Sequence, residues 1–179
     1  MTDIPYTFVR SSRKTLGIQI TPAGEVILRC PNRMSRREAE AFLLSKRRWI
    51  EAHLEKCVPA EPLAPEALAW LSEAAKEDFP PRVQRLAAQI GVTYGRITIR
   101  SQHSRWGSCS GKGNLNFNCL LMLCPEEVRD YVVIHELCHR KEMNHSPAFW
   151  ALVDHHCPHF RSSRQWLKDN GTALLARLP

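Results

Sequence analysis

Pro125-Glu126-Glu127-Val128-Arg129-Asp130-Tyr131-Val132-Val133-Ile134-His135-Glu136-Leu137-Cys138-His139 is the stretch on which the reading of this sequence turns. It opens with a proline suited to a first helical position and two acids that complement the positive end of the helix dipole. The apolar run up to His135 predicts a helix buried in a core. On that helix His135 and His139 stand about 40° apart around the axis and one turn apart along it, so both imidazoles can meet one ion. Glu136, beside the first imidazole, is placed to hold and deprotonate a metal-bound water. Cys138 lies about 60° or more off the face the histidines share and reads as a small buried hydrophobe.

His-Glu-x-x-His on a helix is the zinc-hydrolase arrangement of metallopeptidases. A catalytic zinc takes three protein ligands and leaves the fourth position to water. Downstream, His145 is the preferred third ligand, at the offset from His139 that metzincins use. The glycine that lets the metzincin chain turn back is Glu142 here. The turn must be made otherwise, with Asn144, tolerant of left-handed backbone, as the expected place. Ser146-Pro147 then offers an N-cap and a first-turn proline for a helix over 148–155. Asp154, His155, His156 and His159 compete for the third position; His155 and His156 point to different faces, so at most one of them could serve. The bland alternative makes all of these ordinary polar residues of an amphipathic helix and a surface loop. Agreement of the motif, the helix start and the third histidine favours the metal.

Upstream, Val92 to Arg100 is strand-like, and Leu115, Phe117 and Cys119 alternate with Asn114, Asn116 and Asn118. Between them Ser104-Arg105-Trp106-Gly107-Ser108-Cys109 is a candidate strand edge beside the metal helix, where an extended substrate could add as a strand. Arg105 and Trp106 are candidate substrate-binding residues, lining the cleft or meeting an oxyanion. The competing reading has Trp106 filling core and Arg105 paired with a surface acid. Trp150 and Trp166, with Phe149 and Leu167, read as core of the C-terminal helices. Helical patterning from Glu66 to Asp78 meets Pro80-Pro81, which either kinks the helix or starts a new one through Ile90, and Gly91 closes it.

The first third reads as a small antiparallel meander: Tyr6 to Arg10, Leu16 to Ile20 and Glu25 to Arg29, with a turn at Thr21-Pro22-Ala23-Gly24. Ser35-Arg36-Arg37-Glu38 has the form of a capping box and predicts one helix to about Lys56, with Ala39, Phe42, Leu43, Trp49, Ile50 and Leu54 on its apolar stripe. Prolines 59, 62 and 65 make a stiff linker across Cys57 to Glu66. The expected organisation is an N-terminal unit over 1–58 and a metallohydrolase core over 66–179.

At 179 residues, 44% hydrophobic and 24% charged, the composition is that of a folded globular protein and excludes a fibrous or disordered one. No apolar run is long enough for a membrane span, and Met1 to Arg10 lacks the pattern of a signal peptide. Seven cysteines, an odd number without a Cys-x-x-Cys pair, fit neither a disulfide framework nor a zinc ribbon. Reduced thiols and a cytoplasmic location are the expectation. The net charge of +7 is concentrated at the N-terminus, where residues 1–60 hold 11 basic against 6 acidic side chains, while residues 101–179 hold 9 against 7. Charge is therefore a question about that unit rather than about the metal motif.

Four stretches taken together, 105–109, 114–118, 130–139 and 144–150, resemble the YgjP-like metallopeptidase family, relatives of the SprT-like zincins. The resemblance covers most of the chain. It implies an α+β fold: a zincin-like core with the active-site helix packed on a small antiparallel sheet, preceded by the N-terminal strands and helix. It also implies a zinc ion held by His135, His139 and His145, with Glu136 as general base, and all four positions match the family's motif. The substrate expected is a peptide or protein. Some members are described as nucleotide pyrophosphatases acting on UTP, which makes a nucleotide the first alternative, with Arg96, Arg100 and Arg105 as the cations that could face it. Against that, only five aspartates are present and no Gly-rich phosphate loop. A second alternative is a non-enzymatic nucleic-acid binder built on structural zinc, but a closed structural site wants four protein ligands.

Overall fold

Two strand-rich segments, each followed by helices, organise this chain. The computed structural model describes residues 4–21, 24–55 and 61–179; Lys56, the Cys57–Ala60 part of the linker and the Pro22-Ala23 turn lie outside the described residues. The chain divides into two compact units, Met1–Glu61 and Pro62–Pro179.

In the first unit, β1 (Tyr6–Ser11), β2 (Gly17–Ile20) and β3 (Val26–Pro31) form a sheet of order β1-β3-β2. Successive strands alternate in direction as a meander would, but β1 pairs parallel with β3, in register Tyr6↔Val26, and only β2 and β3 pair antiparallel. The expected meander order is thus corrected. β3 takes the centre because Val26, Leu28 and Cys30 bury one continuous face, packed with Ala39, Leu43 and Ile50. The capping box is complete: the Glu38 amide donates to Ser35 Oγ (3.2 Å) and the Ser35 amide to Glu38 Oε2 (3.0 Å). The single helix expected there is two, α1 (Arg36–Ser45) and α2 (Arg47–Leu54), broken at Lys46. Ser45 Oγ donates back to the Phe42 carbonyl at that break, a local bond that competes with the helix ladder. Trp49 falls outside the packed stripe and is exposed.

The second unit begins with α3 (Pro65–Ile90), one helix that runs through Pro80-Pro81. The expected restart as a new helix does not occur. Its stripe of Leu71, Ala75, Phe79, Val83, Leu86 and Ile90 is buried without interruption, and that burial outweighs two missing amide bonds. Gly91 ends it in the left-handed region at φ 71°. The strand expected from Val92 is shorter, β4 (Ile97–Arg100); β5 (Gly107–Cys109) and β6 (Leu115–Asn118) complete a sheet of order β4-β6-β5.

This sheet is mixed, not antiparallel. β4 runs parallel with β6 and β5 antiparallel to it. β6 is central for the reason β3 is: Leu115 and Phe117 are fully buried, and Phe117 stacks on Phe79 of α3 at 4.6 Å. A 3-10 helix over Cys119–Leu123 leads to α4 (Glu126–Cys138), with Pro125 as its N-cap residue rather than inside it. Ser146 caps α5 (Pro147–His156) through a bond from the Phe149 amide, and α6 (Phe160–Leu175) closes the fold. The class is α+β, with α4 lying against β5, α3, α5 and α6.

An ion network holds α4 to α3. Arg82, 8% exposed, donates to Asp78 on its own helix and to Asp130 and Glu126 at the start of α4, while Arg129 reaches back to Asp78 (3.0 Å). The two arginines, after the opposing effect of burial, hold the Asp78 carboxyl below the usual range.

Candidate metal centre

α4 is buried on most of its surface, Val133, Leu137 and Cys138 completely, so the two histidines of its last turns are carried by a fixed scaffold. Their ring centroids lie 5.0 Å apart. After His139 the amides of Arg140, Lys141 and Glu142 fold back onto the carbonyls of Leu137 and Cys138, and the chain returns His145 to 5.0 Å from His135 and 4.8 Å from His139. The expected left-handed Asn144 is corrected: no non-glycine residue among those described has positive φ. Stacked C-terminal turns suffice for the reversal. The guanidinium of Arg140, bonded to the carbonyls of Thr93 (3.0 Å) and Gly111 (3.2 Å), pins the loop.

One nitrogen of each of His135, His139 and His145 lies within 4.8 Å of the others, the only such group of three potential ligands among the described residues. The Nε2 atoms of His135 and His145 face each other at 3.1 Å. Two nitrogens sharing a tetrahedral zinc would stand about 3.4 Å apart, so this spacing fits a common ion. His139 Nδ1 donates to the Glu142 carbonyl (3.0 Å), which leaves Nε2 as the free acceptor. His135 Nδ1 is buried without a hydrogen-bond partner among the described residues. Burial, then the neighbouring imidazoles and Arg164, push His135 down to about 3, and burial also lowers His139. Both are therefore neutral, the form that ligates. The other candidates for a third ligand, Asp154, His155, His156 and His159, lie outside this group: Asp154 pairs with Arg161, His155 and His156 pack on each other at the end of α5, and His159 precedes α6.

Phe149 forms the floor of the group. It stacks on His139 at 4.5 Å and meets His135 and His145 edge-on at 4.9 and 4.8 Å. Trp150 lies along His145 at 5.7 Å. The sequence reading placed both in the core only. The signal available was Ser146-Pro147, whose cap starts α5 immediately after His145 and so swings these two rings under it.

Glu136 is 6% exposed and lies against β5. Burial pushes its carboxyl up to about 8, with the charge of Arg105 and the Cys109 backbone amide acting the other way. Gly107 is what lets it fit: a Cβ there would stand 2.8 Å from Glu136 Oε1. The sequence reading singled out the neighbours of Gly107 and missed the glycine itself.

Arg105 and Trp106 come to the same place. They line, with Gly107, Tyr131, His135, Glu136 and Leu167, a cavity of about 260 Å³. Trp106 also packs on α6, where a Cβ at Gly171 would stand 3.2 Å from its ring. No acid pairs with Arg105 among the described residues. Arg96 and Arg100 do not join it; they lie along β4 in a separate groove with Lys76. The loop carrying Arg105 is held by Asn118, 2% exposed, whose Nδ2 donates to the carbonyls of Gln102 (2.7 Å) and Arg105 (3.0 Å) and whose Oδ1 accepts from the Leu120 amide. Asn116 Nδ2 donates to Ser108 Oγ, and Asn114 Oδ1 accepts from the Arg96 amide. The alternating asparagines thus knit the strands on which Glu136 rests.

The family described as YgjP-like, metallopeptidase domain, matches residues 14–68 and 60–170. The chain belongs to the YgjP-like metallopeptidase family. Among solved structures, two metallopeptidase zymogens are similar. Abylysin of Pyrococcus abyssi is 21% identical with a TM-score of 0.42, over 49% of this chain and 90% of that one. Jannalysin of Methanocaldococcus jannaschii is 20% identical with a TM-score of 0.42, over 50% of this chain and 95% of that one. Comparison with curated proteins gives no match. Membership in a YgjP-like metallopeptidase family places the chain among metal-dependent hydrolases, and His135, His139 and His145 could hold the metal. No helix among the described residues is long and apolar enough to cross a membrane.

Proposed function

We propose that this YgjP-like chain is a zinc peptidase in which His135, His139 and His145 hold the ion and Glu136 is the general base. The observation that carries the reading is the convergence of three imidazoles beside a buried carboxyl. An all-imidazole donor set with ligand spacing suits zinc. Zinc bound there would polarise the scissile carbonyl and lower the pKa of a water toward about 7.

The chain's own residues supply the rest. Glu136, with a carboxyl raised toward neutrality, takes a proton from the attacking water and returns it to the leaving amine. A bound cation beside it favours its ionised form. The Glu142 carbonyl keeps His139 in its ligating tautomer. β5 is an edge strand next to α4, which supports substrate binding as an added extended strand. Arg105 and Trp106, at the wall of the cavity, border the path of that strand.

The test combines metal analysis with turnover of unfolded protein substrates. Glu136→Gln should retain zinc and lose cleavage, whereas His145→Ala should lose the zinc itself. Wild-type turnover by Glu136→Gln would refute the mechanism, and full zinc retention by His145→Ala would move the third ligand elsewhere.

A further inference from the structure

Two cations stand at the ligand cluster without an ion-pair partner among the described residues. Arg105 lines the cavity from the loop before β5. Arg164 approaches from α6. On that helix Arg164, Leu167 and Gly171 fall on one face; Leu167 lines the cavity and Gly171 lies under Trp106, so the face is the one turned to the cleft. The guanidinium of Arg164 sits over the Trp150 ring at 4.7 Å, and Trp150 in turn lies along His145. The charge of Arg164 is felt at His135 and Tyr131, and that of Arg105 at Glu136.

Arg82, Arg85, Arg129 and Arg161 of this unit are met by carboxylates, Arg140 by backbone carbonyls and Arg100 by Asn116 Oδ1; Arg96 and Arg177 have no ion-pair partner among the described residues, but neither lines this cavity. Neither Arg105 nor Arg164 has an acidic partner among the described residues, and Glu136 is the only acid in the cavity wall. Two unneutralised cations flanking a site built for a third raise the potential there, which repels basic substrates and favours anionic ones. Tyr131, whose hydroxyl makes no hydrogen bond among the described residues, lines the same cavity and offers a further donor. At about 260 Å³ the cavity falls below the range of roughly 300–1,000 Å³ usual for small-molecule pockets, which favours one residue of a chain over a nucleotide.

We infer that Arg105 and Arg164 form a carboxylate-binding subsite that selects peptides with an acidic group next to the scissile bond. Guanidinium forks suit a carboxylate, and a charged hydrogen bond of this kind is worth about 10- to 100-fold in discrimination. The inference rests on the peptidase reading above. The acidic group can be an Asp or Glu side chain or the substrate's own C-terminal carboxylate, and both present the same chemistry to the two arginines.

The test uses the zinc-loaded protein and matched peptides: one series with Asp or Glu against Asn or Gln at single positions, and one with a free against an amidated C-terminus. Acid-bearing peptides should have the higher kcat/KM by about 10-fold or more. The series in which this occurs identifies the source of the carboxylate. Arg164→Glu should invert the preference toward Lys-bearing peptides, and Arg164→Lys should restore part of it. A merely structural Arg164 would change rates without inverting the preference. Binding of the same peptides to Glu136→Gln, followed by calorimetry, reads selection without turnover. Cleavage with equal rates for acidic and neutral peptides would overturn this inference and leave the peptidase reading intact. Absence of both cleavage and binding for every peptide, with UTP hydrolysed instead, would overturn both.

Discussion

Replacing Gly107 by alanine adds one methyl group at the point where β5 meets the α4 carboxyl. The new Cβ would stand 2.8 Å from Glu136 Oε1, 2.9 Å from its Cγ and 3.1 Å from its Cδ. Comfortable carbon contacts lie at about 3.5–4.0 Å, so the side chain must withdraw by roughly 0.5–1 Å. Glu136 is buried and has little room to do so, and overpacking of this kind costs about 1–3 kcal/mol. A catalytic group displaced by about 1 Å loses on the order of 100-fold in rate. The three histidines are on α4 and the loop after it, so zinc content should be unchanged. Gly111→Ala is the internal control, because a Cβ there meets nothing within 4 Å. The assay is kcat on the best peptide, with zinc stoichiometry and thermal melting measured on the same preparations. Gly107→Ala with wild-type rate and zinc content would show that Glu136 does not depend on the space Gly107 leaves; loss of zinc in step with rate would shift the effect from Glu136 to the ligands.

Further predictions concern the supports of the site. Asn118→Ala removes two hydrogen bonds to the carbonyls of Gln102 and Arg105 and leaves the buried Leu120 amide unmet, so it should lower stability by about 1–3 kcal/mol and raise KM more than it lowers kcat. Arg82→Met leaves Asp78 and Asp130 without their buried partner, and chemical denaturation should show a loss of about 3–5 kcal/mol, less if Arg85 and Arg129 compensate. Metal-free protein should lose stability as pH rises from about 4.5 to about 8 through Glu136, because the unfolded carboxyl releases its proton first. At about 1.4 kcal/mol per pH unit the loss is bounded near 5 kcal/mol, and Glu136→Gln should abolish it, raising Tm relative to wild type at pH 8 more than at pH 5. An equal Tm difference at the two pH values would refute the assignment.

Local periodicity was enough for much of the architecture. The capping box of α1, the Gly91 stop and the Ser146 cap are contacts between residues a few positions apart, and each is present as its spacing predicts. Strand order was not legible. Both sheets place the most completely buried strand in the centre, with its two neighbours in sequence or space on either side, and burial is a property of the packed unit rather than of the strand. Helix lengths failed for a similar reason: α3 survives two prolines because its stripe has a surface to pack on, while the helix after Ser35 breaks at Lys46 where local side-chain bonding competes.

At the site, spacing alone puts His135 and His139 on one helix face, since four residues make about one turn whatever surrounds them. The sequence also named Glu136, His145, Arg105 and Trp106 as the groups to watch. Which of them meet follows from the packed fold. It returned His145 by stacked turns, set Phe149 beneath three imidazoles, laid Gly107 against Glu136, and brought Arg164 in from α6. These contacts join residues from 4 to 29 positions apart along the chain. Their distances depend on how helices and strands pack, and that is settled by the burial of the whole unit, not by the spacing of any one motif.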